Sequence, residues 1–160
     1  MKILGVDPGS TRIGYGLIEK RSELHLLEYG VLEMQSKTGI DRIHELSRAF
    51  KKLLTSLAPD LAGIETLYFS KNQKTALQVA ESRGVLMLSL VEYGVPVKEF
   101  RPGDVKLAVA NYAMADKIAV SKMVRKILRV SDITGYDDAS DALAIAITAA
   151  HARTWEDKMA

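Results

Sequence analysis

Lys2-Ile3-Leu4-Gly5-Val6-Asp7-Pro8-Gly9-Ser10 stands at the start of the chain, and its reading decides the fold. An apolar run cut short by Pro8 and Gly9 reads as a buried strand. Asp7 then falls at the carboxyl end of that strand or just past it. In an open α/β sheet, ligands gather at that end. A carboxylate there either caps the turn or holds a metal ion. The remaining residues choose between the two by whether they bring further carboxylates to the same edge.

The segments that follow form a meander. Ile13, Tyr15 and Leu17 alternate with Gly14 and Gly16, which is the period of a strand. The short link from the first strand makes the two antiparallel. A third strand covers residues 24–32, after the polar turn Lys20-Arg21-Ser22. The period then changes. Ile40, Ile43, Leu46, Phe50, Leu53, Leu54 and Leu57 recur every three or four positions, with Arg42, Arg48, Lys51 and Lys52 between them. That pattern predicts an amphipathic helix with one buried face, ended by Ala58-Pro59-Asp60. Residues 61–65 read as a fourth strand that again ends in a carboxylate, Glu65. A helix between two strands implies a crossover, so the fourth strand lies parallel to the first. Glu65 is thereby expected beside Asp7.

A second helix is expected from residue 75 to about 93. Leu77, Ala80, Leu88 and Val91 mark one face, and Val85-Leu86-Met87-Leu88 extends the apolar surface nearly all round. Such a helix is expected to be buried on two sides, one by the sheet and the other by a second subunit. Residues 96–100 make a fifth strand. Shorter helices follow around 104–110 and 117–128, the latter with Asp116 as N-cap. A loop at 131–136 leads into a last helix from 138 to about 151.

The chain has 160 residues, which suits one domain spanning 1–160 with a sizeable core. It contains no cysteine, so disulfides, zinc-thiolate sites and thiol nucleophiles are excluded. The first residues read as a strand rather than a secretory signal, and the longest uncharged runs, such as 142–150, are far short of a membrane span. A soluble cytoplasmic protein without membrane attachment is expected. Net charge is only +2, yet residues 66–135 carry eleven Lys and Arg against six Asp and Glu. A basic middle suits a polyanionic partner, though a solvated charged surface gives the same balance.

The last helix opens Tyr136-Asp137-Asp138-Ala139-Ser140-Asp141. Asp138 and Asp141, at i and i+3, share a helix face. Acidic residues in a first turn are ordinary on dipole grounds, which accounts for Asp137 and Asp138. Asp141 lies a turn inside and runs straight into apolar residues, where an unpaired charge is costly. Asp7, Glu65, Asp138 and Asp141 meeting without cations would repel one another. A divalent cation resolves that, and oxygen donors without cysteine suit Mg²⁺ or Mn²⁺. Two such ions about 4 Å apart are a standard device for in-line phosphodiester hydrolysis.

These residues carry a resemblance. Asp7-Pro8-Gly9-Ser10, Ile64-Glu65, Lys71-Asn72, Ala80-Glu81-Ser82-Arg83-Gly84-Val85 and Asp138-Ala139-Ser140-Asp141-Ala142-Leu143-Ala144 stand in the order, and over the extent, of the RuvC family of Holliday-junction resolvases. The chain resembles that family over almost its whole length. The resemblance implies an α/β, RNase H-like fold: a five-stranded mixed sheet, strand two antiparallel, flanked by helices. It implies a Mg²⁺-dependent endonuclease, with two ions per active site and Mn²⁺ as a substitute. It further implies a homodimer that nicks two strands of a four-way DNA junction symmetrically, in recombination and repair, beside a branch-migration helicase. By resemblance the catalytic, metal-holding set is Asp7, Glu65, Asp138 and Asp141. Tyr68, with Phe69 adjoining, matches the family's junction-entering aromatic; stacking on unpaired bases suits it. Lys106 and Lys117 fall where the family has functionally important lysines, and Lys71, Lys74, Arg83 and Arg101 are further candidates for phosphate contact.

There is one departure. The family's Gly-x-Gly before the second lysine is replaced here by Asn111-Tyr112-Ala113-Met114-Ala115-Asp116, which changes the backbone angles that are easy in that loop. Trp155, in the tail, is given no role. Three rivals bear on function. The same fold could cut other branched or hybrid nucleic acids, RNA included. A catalytically silent junction-binding protein is a second, against which the four carboxylates argue. Actin-like ATPases share the opening turn but need a second domain, for which 160 residues leave no room.

Overall fold

The computed structural model describes residues 1–36, 38–67 and 73–152. Ten elements follow in order: β1 (Lys2–Asp7), β2 (Arg12–Lys20), β3 (Leu24–Glu33), α1 (Gly39–Leu57), β4 (Leu61–Glu65), α2 (Gln73–Glu92), β5 (Val97–Phe100), α3 (Pro102–Ala110), α4 (Lys117–Leu128) and α5 (Asp137–His151). The strands form one sheet in the order β3-β2-β1-β4-β5. β2 runs antiparallel to β1 and β3, while β1, β4 and β5 are parallel. The sheet is therefore mixed and five-stranded, with helices on both faces.

Strand alternation sorts the side chains into two cores. Ile3, Ile18 and Leu61 face a core built with α3, α4 and α5. Leu4, Val6, Ile13, Leu17, Ala62 and Ile64 face the opposite core, with α1 and α2. The same alternation decides where the strand-end carboxylates point. Ile3, Gly5 and Asp7 share one face of β1; Leu61, Gly63 and Glu65 share the matching face of β4. Both acids emerge on the side that α5 covers.

α5 lies unusually near that face. A Cβ on Gly5 would stand 1.9 Å from the Ala142 carbonyl oxygen, and one on Gly14 would stand 2.0 Å from that of Asp138. Only glycine permits so close an approach of helix to strand. Every residue of α5 from Ala142 to Ala150 is buried, so the helix is the centre of its core.

Two expectations about helix faces change. In α1 the buried positions include Arg42, Leu46, Phe50, Leu54 and Leu57, a stripe at steps of three and four. Arg42 lies on that stripe and Ile40 lies off it. Accordingly Ile40 is 82% exposed, and Arg42 is buried with its guanidinium 3.0 Å from the Glu81 carboxylate on α2. In α2, Ser82, Leu86, Ser89 and Leu90 are buried, while Leu77, Leu88 and Val91 are exposed. Within one chain, the apolar face read from the sequence points outward.

Candidate active site

The carboxyl ends of β1 and β4 and the first turns of α5 enclose a cavity of about 320 Å³, lined among others by Asp7, Glu65, Lys106, Lys117, Asp138 and Asp141. Asp7 arrives on β1 and Glu65 on the adjacent parallel β4, where Val6 pairs with Ile64. Asp138 and Asp141 arrive on α5, which Gly14 allows to settle onto the sheet. Lys106 comes from α3 and Lys117 from the first position of α4.

The electrostatics follow from that crowding. Burial, then the charges of Asp141, Glu65 and Asp138, push Asp7 up to about 8, against a smaller opposing pull from Lys117. Burial and then Asp141 also raise Glu65, which Lys117 and Lys106 partly offset. Lys117 donates to Asp141 Oδ2 at 3.1 Å, and this bond raises the ammonium above its ordinary value. Asp138 is held from another side. Arg12 Nε lies 3.3 Å from its Oδ2, and the same guanidinium stacks 4.4 Å from the Tyr136 ring centre.

The reading of the sequence gives Arg12 and Tyr136 no role. The signal that could have found Arg12 is the β2 alternation: it lies two residues before Gly14, on the strand face that meets Asp138. Arg83 turns inward. Its Nε donates to the Glu65 carbonyl oxygen at 3.0 Å and its fork pairs with Glu99, so it braces the end of β4. Arg101 is exposed at the N-terminus of α3, with its backbone N–H bonded to Asp104 at 3.3 Å. Tyr68, Phe69, Lys71, the side chain of Lys74, and Trp155 lie outside the described residues.

The loop without glycines solves its geometry differently. Asn111 closes α3 in the left-handed conformation, φ 56°, which asparagine tolerates better than other side chains. Asp116 then caps α4, accepting from the Ala119 N–H at 2.8 Å.

In the positions described, no three acidic or histidine side chains among the described residues close on one point; Lys117 and Arg12 occupy Asp141 and Asp138 instead. The donor set nonetheless fits a hard divalent ion. It is all oxygen, it faces a cavity of about 320 Å³, and burial together with the neighbouring carboxylates holds its deepest member, Asp7, well above the ordinary carboxylate range.

A family model, described as Crossover junction endodeoxyribonuclease RuvC, matches residues 3–149. The chain belongs to this RuvC family. A Crossover junction endodeoxyribonuclease RuvC of Heliobacterium modesticaldum is 39% identical over 157 residues, 97% of this chain and 97% of that protein. A RuvC of Chloroflexus aurantiacus is 41% identical over 155 residues, 94% and 93% of the two chains. Thermus thermophilus RuvC, solved in complex with a Holliday junction substrate, superposes with a TM-score of 0.82 at 28% identity over 92% of each chain. The fold is that of RuvC, the five-stranded RNase H-like sheet. Family membership implies a nuclease that works with a divalent metal ion.

Proposed function

We propose that this protein is an endodeoxyribonuclease that recognises four-way DNA junctions and hydrolyses a phosphodiester in each of two opposed strands, in recombination and repair. The observation that carries the reading is the cavity itself: four carboxylates at one sheet edge, with Asp7 driven to about 8 by burial and then by its acidic neighbours. The Thermus thermophilus RuvC with its Holliday junction substrate supports the choice of DNA.

Asp7, Glu65, Asp138 and Asp141 are the residues that would hold the metal, and Mg²⁺ is the ion we assign, two per site, with Mn²⁺ able to replace it. Bound divalent ions would supply an activated water and charge stabilisation at the leaving oxygen. The chain's own part is to bind and orient. Asp7 would give up its proton on holding the ion, so metal binding below about pH 8 should release protons. Lys106 and Lys117 bring positive charge to the mouth of an otherwise acidic cavity, where a phosphate has to approach. Arg83 holds the Glu65 backbone and Arg12 holds Asp138, which limits how far either carboxylate can swing.

Paired cutting needs two sites, and the outward stripe of Leu77, Leu88 and Val91 on α2 supports a homodimer. The whole chain, 1–160, acts as one nuclease domain. No helix among the described residues is long and apolar enough to cross a membrane, and we place the protein in the cytoplasm, with a branch-migration helicase as its partner. Tyr68, with Phe69, remains our choice for the residue that meets the junction centre.

Asp7→Asn separates chemistry from binding. Junction nicking should disappear, and junction affinity in EDTA should stay within about threefold of the parent, because a buried protonated Asp7 and an asparagine carry the same charge. Loss of binding along with cutting would assign Asp7 to folding and contradict the proposal.

A further inference from the structure

A second hollow, about 210 Å³, opens beside the catalytic cavity between α4 and the first turn of α5. Lys117 and Asp141 line both spaces, so the two adjoin at that ion pair. Ser121, Arg125, Ser140 and Asp137 line the second one. Lys117, Ser121 and Arg125 are spaced i, i+4, i+8 on α4 and therefore share one face. At 1.5 Å per residue that row spans about 12 Å. A nucleic-acid strand advances roughly 3.4 Å per phosphate, so the row matches three to four nucleotides.

We infer that this groove is a second phosphate site, which takes the backbone of the cleaved strand to one side of the bond being hydrolysed. Arg125 is the principal contact. A guanidinium offers a planar fork that suits two phosphate oxygens at once. Arg125 is free to do so: its ion-pair partner, Asp132, lies 3.7 Å away and is 64% exposed, an arrangement that contributes little to stability. Ser140 is buried, and its hydroxyl donates to Ser121 Oγ at 3.3 Å. Ser121 accepts that bond, so its own proton is available to a ligand. Residues 117–129 carry Lys117, Lys122, Arg125, Lys126 and Arg129 with no acidic residue. Glu23, just before β3, pairs with Arg129 and Asp132 with Arg125, and the acids that line the groove itself come from α5. Asp141 is already taken by Lys117, and Asp137 stands in the first turn of α5, where the amino end of the helix offsets its charge.

The inference rests on the junction-cleaving reading above and is tested by binding, without metal. A labelled four-way junction is titrated in EDTA across a series of salt concentrations. Arg125→Ala should raise Kd about tenfold and reduce the log–log salt slope by about one, the signature of one lost phosphate contact. Arg125→Lys should recover most of the slope. Asp132→Asn removes the only ion-pair partner of Arg125 among the described residues and should leave both quantities unchanged. A wild-type Kd and slope in Arg125→Ala overturns the groove, and so does an equal loss in Asp132→Asn, which would make the pair structural. Arg125→Gln gives the same reading should the alanine variant fail to fold. If the unmodified protein itself neither binds nor nicks junctions, the underlying reading fails; if it does both and the slope is unmoved, only the groove fails.

Discussion

Asp7 carries the pH dependence of the metal-free protein. Its carboxyl ionises near 3.8 in an unfolded chain and near 8 in the fold. Between those values the native state binds more protons than the unfolded state, so stability falls as pH rises. Glu65, raised by the same crowding, acts in the same direction. In EDTA the melting temperature should drop from pH 6 to pH 8 in the parent protein. The drop should be clearly smaller in Asp7→Asn, and divalent metal should restore the lost stability at pH 8 by binding the native state. A parent that gains stability over that range, relative to Asp7→Asn, contradicts the assignment. The four acids were legible because strand ends and an i, i+3 pair are written in local sequence. Arg12 was not, because its partners, Asp138 and Tyr136, are more than a hundred residues away and nothing local distinguishes it from a surface arginine.

At the scale of elements, the site depends on how closely α5 rests on β1 and β2. Gly5 and Gly14 set that distance. Gly5→Ala places a methyl group on the Ala142 carbonyl, and helix or strand has to shift. Overpacking of this kind costs typically 1–3 kcal/mol, occasionally more. Because the shift moves Asp138 and Asp141 relative to Asp7, metal affinity should fall together with stability. Gly39→Ala, at the first position of α1 with open space around it, serves as the control. Unfolding midpoints in denaturant and calorimetric metal titration check both. Element order, strand pairing and the crossover could be read from periodicity, since alternation and a 3.6-residue repeat are local. The reason for the strand glycines could not: Gly14 and Gly16 stood out within the alternation, yet the helix that needs them lies more than a hundred residues further on. Helix faces were harder still. An apolar stripe in α2 states that something covers it, without stating whether the cover is the chain's own sheet. Leu86 and Leu90 took the sheet, and Leu77, Leu88 and Val91 face outward.

For the whole molecule, the proposed homodimer would cover that outward stripe. Leu88→Glu at the middle of the exposed face should convert a dimer into a folded monomer with its cavity intact, read by sedimentation at micromolar concentration alongside circular dichroism. The monomer should still bind metal and should lose paired nicking. A parent protein that already sediments as a monomer counts against the assembly. The central claim is selectivity for a branched DNA under metal control, and one comparison addresses it. A synthetic four-way junction, a linear duplex of the same sequence and an RNA–DNA hybrid are incubated with the protein, with Mg²⁺ and with EDTA. The account predicts symmetric nicks in the junction alone and only with Mg²⁺. Equal cutting of all three substrates, or cutting of any of them in EDTA, would contradict it.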